Sequence, residues 1–130
     1  MESVERERVF SELEIQVIQE ALDYRLTTYR TNAISPYQQK ADGDIRKLLK
    51  CEETATDRKL IRYQKFLYTS IGLYLKHMFF KLCETDDEDI HDCIRSILYC
   101  CEYLLDVFSV SNAVRLMYGD KNIYSGYYYD

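Results

Sequence analysis

From Asp57 to Cys83 the chain runs without a proline and with a single glycine, Gly72, while apolar residues recur every three or four positions. That spacing puts them on one side of an α-helix, whose side chains repeat about every 3.6 residues. Leu60, Leu67, Ile71, Tyr74, Met78 and Leu82 make one stripe, and Tyr63, Phe66, Leu73 and Phe80 make a second beside it. A helix that is apolar on two sides is central in a bundle or buried by a partner. The whole chain is poor in breakers: one Pro and four Gly in 130 residues disfavour a fold of short strands and tight turns. The expected fold is all-α, a compact bundle of four to five helices with one long central helix, in a single domain.

Start signals divide the rest. In Ser11-Glu12-Leu13-Glu14, Ser11 can cap the Glu14 amide while Glu14 reaches back, and Phe10 and Ile15 have the spacing of a hydrophobic staple. Helix one then runs to about Arg30 behind Ile15, Ile18, Leu22, Leu26 and Tyr29. Ser35, Pro36 and Gln38 restart the chain as a second capping box, and Asp42-Gly43-Asp44 leaves helix two as either one bent helix or two short ones. Thr54 or Thr56 caps the long helix three, and Thr85 with Glu88 caps helix four, which runs to about Phe108 behind Ile90, Ile94, Ile97, Cys101 and Leu104. Ser109 or Ser111 starts a short last helix ending at Tyr118. The expected division is a charged lead-in over 1–10, a helical bundle over 11–118 and a Tyr-rich tail over 119–130. The expected core is Ile15, Ile18, Leu22, Leu60, Leu67, Ile71, Ile94, Ile97 and Leu104.

The first ten residues, MESVERERVF, lack the apolar segment of a signal peptide, and the weakly charged run Phe66 to Leu75 is too short for a membrane span. The expected location is therefore cytoplasmic and away from membranes. Five cysteines, an odd number, argue for thiols in a reducing compartment. The net charge of −5 is unevenly spread. Residues 1–43 hold 8 acids and 5 bases, residues 44–82 hold 4 and 9, and residues 83–130 hold 10 and 3. A basic middle and an acidic last third either neutralise each other or present two charged surfaces.

Catalytic and metal signals are weak. Glu88-Asp89-Ile90-His91 has the i, i+3 spacing of carboxylate-bridged metal helices, but such a site needs two of these motifs and His77 has no Glu three residues before it. His77, Cys83, His91 and Cys93 flank one turn without CxxC or HxxxH spacing. Acids at 86–89 suit a helix start. Cys93, Cys100 and Cys101 have only Arg95 as a nearby base in sequence, so they are expected to be structural. There is no glycine-rich phosphate loop and no GxSxG elbow. The expectation is a non-enzyme without metal or cofactor.

Partner binding remains. Tyr63, Phe66, Leu73 and Phe80 need cover, and Arg58, Arg62 and Lys65 share a face of helix three with them nearby, so these seven are the candidate partner-binding residues. The expected partner is a protein of unknown identity, with a homodimer as one form. The alternative is a nucleic-acid-associated regulatory subunit that grips phosphates through the same basic face, against which the net charge stands. The mix of many Tyr, Cys, Asp and Ile with little Pro resembles small proteins of viruses and phages. That resemblance implies a chain that binds and inhibits a host protein in the host cytoplasm or nucleus.

Overall fold

The computed structural model describes residues 8–28, 35–51 and 55–118. Over these the chain forms α1 (Glu12–Asp23), which continues as a π-helical turn (Tyr24–Thr28), and then α2 (Pro36–Leu49). Next come α3 (Asp57–Leu60), a 3-10 turn (Ile61–Tyr63), α4 (Gln64–Glu84), α5 (Glu88–Val107) and α6 (Val110–Tyr118). The fold is the all-α bundle that the periodicity predicts, and the run 57–84 is its longest helical stretch. The expected helix end at Arg30, with Tyr29, and the tail over 119–130 lie outside the described residues.

α4 and α5 form the principal packed pair, and α1 lies against both. Ile18, Leu22, Leu60, Leu67, Ile71, Leu104 and Phe108 are fully buried between them, and Ile94 nearly so. Ile15 and Ile97 are only half-buried at the margin of this core, whereas Val17, which the stripe of helix one omits, is inside it. Tyr74 spans from α4 to α1, donating its hydroxyl to Glu20 Oε1 at 2.5 Å.

Two of the three predicted capping boxes form: Ser11 with Glu14, and Ser35 with Gln38. α2 runs unbroken through Gly43. Lys40 pairs with Asp44 at 3.0 Å and Arg46 with Asp42 at 2.8 Å, so i, i+4 ion pairs bridge the glycine on both sides. Thr56 is the cap of α3, and Ser109 accepts the Asn112 amide at the start of α6. At α5 the cap is Asp87, not Thr85; its carboxylate accepts the Asp89 and Ile90 amides. A carboxylate at the positive end of a helix is the stronger acceptor.

Two departures matter for function. Residues 8–10, the described end of the charged lead-in, join the fold instead of merely preceding it. They run extended beside 55–57, with Phe10 N donating to Ala55 O and Asp57 N to Arg8 O, both at 3.0 Å. Phe10 is buried and meets Phe108 at a ring separation of 5.9 Å. The long helix, for its part, is interrupted at Ile61–Tyr63 by the tighter 3-10 turn. Three residues at about 3.0 per turn instead of about 3.6 rotate what precedes them by roughly 60° relative to a continuous α-helix.

Candidate interaction site

That rotation separates the predicted bases. Arg58 is turned to α6, where its Nη1 donates to the Leu116 carbonyl at 3.4 Å. Arg62 and Lys65 instead stand exposed beside a cleft between the first turns of α2 and the start of α4. The cleft encloses about 310 Å3, and Tyr63, Phe66, Arg25 and Tyr37 also line it. Four of the seven candidate residues thus meet at one place, and Arg58 is not among them.

Arg25 forms the floor. Its guanidinium lies over the Phe66 ring, 4.4 Å from the centroid, and its Nη1 donates to the Phe66 carbonyl at 3.3 Å and to Ser70 Oγ at 3.0 Å. Ser70 is fully buried and its own hydroxyl donates back to the Phe66 carbonyl at 2.8 Å. Burial pulls the Arg25 pKa below its ordinary value, against the opposing attraction of Asp42. Asp42 itself is held by Arg46. No carboxylate is among the described residues lining the cleft, and neither Arg62 nor Lys65 has an ion pair among the described residues.

Tyr63 is a ridge between this cleft and a shallower one of about 360 Å3, which Arg62 also borders together with Lys47, Lys59 and Asp44. The Tyr63 hydroxyl reaches Asp44 Oδ2 at 3.5 Å. Arg25 and Tyr37 were not legible as site residues. The one signal for Arg25 is its place three residues after Leu22, at the edge of the apolar stripe. Nothing in the sequence marks Tyr37, which is 81% exposed.

The second stripe is covered unevenly. Tyr63 and Phe66 are half-buried against the core, Leu73 is half-buried, and Phe80 is 53% exposed beside Phe79 at 50%. The two rings sit 6.2 Å apart, edge to face. The acids at 86–89 are at the opposite end of α4 from Arg62 and Lys65, roughly 30 Å away at about 1.5 Å per residue. The bundle leaves its basic and acidic surfaces apart.

The histidines have local roles. His91 Nε2 lies 2.8 Å from the Thr85 carbonyl oxygen and so ties down the α4–α5 turn, and His77 stacks on Tyr24 at 4.4 Å. No group of three or more metal-ligating side chains occurs among the described residues, and no described helix is long and apolar enough to cross a membrane.

Cys100 and Cys101 are buried in α5, while Cys51, Cys83 and Cys93 are exposed. Burial, reinforced by nearby Glu14, pushes the Cys100 thiol up to about 11; burial, with Cys100 next, pushes Cys101 up to about 12. Since the thiolate is the reactive form, alkylation of the native protein at pH 8 should modify Cys51, Cys83 and Cys93 quickly, and Cys100 and Cys101 only after unfolding. Intact-mass spectrometry with and without denaturant reads the difference. The unfolded thiols ionise near 9.0 and the folded ones higher, so raising the pH above that value should favour the unfolded chain.

No family model, curated protein or solved structure matches this chain.

Proposed function

We propose that this chain is a non-catalytic module that binds another protein along α4, from the basic cleft at its start to Phe80 near its end. The observation that carries the reading is the half-exposed pair Phe79 and Phe80 on a helix whose opposite face is buried. Aromatic and arginine side chains are the usual anchors of interfaces, and this surface offers both. In this reading the protein acts by occupancy, as a small viral or phage protein does when it blocks a host protein in the host cytoplasm or nucleus. A second copy is one candidate occupant: two α4 helices laid antiparallel would set Arg62 and Lys65 of one against the acids 86–89 of the other.

A second reading, nucleic-acid association, draws on one observation: Lys47, Lys59, Arg62 and Lys65 gather around the two clefts beside Tyr63.

Capture of partners from source-cell extract separates these. The baits are the wild type, Phe80→Asp and Arg62→Glu/Lys65→Glu, each with and without nuclease. Both variants change exposed residues, so stability should stay within about 0.5 kcal/mol and helix content should be native. The expected result is a protein that survives nuclease and is lost with Phe80→Asp. A partner lost on nuclease and with the double variant, but kept by Phe80→Asp, would establish the nucleic-acid reading instead. Equal capture by all three would remove α4 from binding. Light scattering over rising concentration identifies self-association.

A further inference from the structure

We infer that the cleft between α2 and the start of α4 takes a phosphoryl group carried on a side chain of the protein partner. The inference rests on the protein-binding reading and names the chemistry that one end of that surface recognises.

Arg25 is the fixed cation of the cleft. Stacking on Phe66 and two hydrogen bonds from Nη1 hold its guanidinium in one orientation. Its Nε and Nη2 make no hydrogen bond among the described residues, so a planar pair of donors stands ready, the arrangement that recognises phosphate and carboxylate. Arg62 and Lys65 add two mobile positive charges at the rim. Three cations, with no carboxylate among the described residues lining the cleft, exceed what a single carboxylate neutralises, and match a phosphate monoester carrying about −1.5 to −2 charges. Asp42 lies within electrostatic reach of Arg25; its Oδ2 is bonded to Arg46, which also pairs with Asp23, while its buried Oδ1 has no hydrogen-bond partner among the described residues, so it offsets part of the Arg25 charge from behind the cleft without lining it. A cleft of about 310 Å3 leaves room beyond a bare phosphate. The carrier therefore enters too, between the rings of Tyr37, Tyr63 and Phe66.

Amide NMR of the full chain, titrated with phenyl phosphate, phosphoserine, benzoate and a random single-stranded oligonucleotide, tests the cleft. Saturable shifts centred on Arg25, Tyr37 and Phe66 are expected with the phosphate monoesters, about tenfold weaker with benzoate. Arg62→Glu/Lys65→Glu should weaken phenyl phosphate by tenfold or more. Arg25→Lys keeps the charge and loses the fork, so it should bind weakly while remaining folded. No saturable shift, or equal binding of benzoate, overturns the inference. So does affinity that grows with oligonucleotide length and centres on Lys47 and Lys59, which would give this face to nucleic acid. Phosphatase treatment of the extract separates the two levels. Loss of the captured protein supports the phosphoryl group, while capture through Phe80 that phosphatase leaves unchanged overturns it and leaves the protein-binding reading standing.

Discussion

Removing residues 1–10 is expected to destabilise the bundle by at least as much as Phe10→Ala, about 3–5 kcal/mol. For a domain with about 5–15 kcal/mol in total, that loss brings the folded state near its limit. Phe10 is 3% exposed and closes the core against Phe108, so its loss opens a cavity there. The deletion also leaves the Ala55 carbonyl and the Asp57 amide without their backbone partners. It further removes Arg8, whose guanidinium donates to both Glu14 carboxylate oxygens at 3.2 and 2.9 Å and lies 4.6 Å over Tyr103. Urea denaturation of the full chain, the deletion and Phe10→Ala measures each loss. A deletion as stable as the full chain would show that residues 8–10 only decorate a bundle beginning at Ser11.

Leu67→Ala should cost about 2–5 kcal/mol, and Ile97→Ala less than half of whatever Leu67→Ala costs. The two stand equally on predicted core stripes, and the fold distinguishes them. Leu67 has no exposed surface and lies in the core cluster, while Ile97 is half-buried at its margin. A half-exposed isoleucine already loses part of its transfer free energy, and the space it vacates fills with solvent rather than becoming an empty cavity. Equal midpoint shifts for the two substitutions in chemical denaturation would contradict this placement.

These predictions divide at the point where local information ends. Capping and periodicity act within about one or two helical turns, so the boxes Ser11–Glu14 and Ser35–Gln38 and the cores of α1, α4 and α5 could be read in advance. Asp87 displaced Thr85 as a cap because two plausible acceptors lay within one turn, and the one already charged took the amides. Gly43 left α2 open between one helix and two; the pairs Lys40–Asp44 and Asp42–Arg46 are themselves local, yet each contributes only about a few tenths of a kcal/mol against the glycine.

The candidate site was half legible for the same reason. Tyr63, Phe66, Arg62 and Lys65 lie within four residues of one another, so their meeting follows from helix geometry alone. Arg25 joins them across 41 residues of chain and Tyr37 across 26 residues to Tyr63, and only the packing of α1 and α2 on α4 brings them there. Arg58 left the group because a 3-10 turn lies between it and α4, and its guanidinium meets the Leu116 carbonyl of α6, 58 residues away in sequence. The sequence by itself therefore determined the helices, their order and which face of each is apolar, since those depend on spacing along the chain. The tertiary structure alone decided that Phe10 belongs to the core, that Phe80 stays open to solvent while Phe66 is half-buried, and that Arg25 is held over Phe66 with no carboxylate among the described residues lining the cleft. Each of those depends on contacts between segments far apart in sequence, where no local period carries the information.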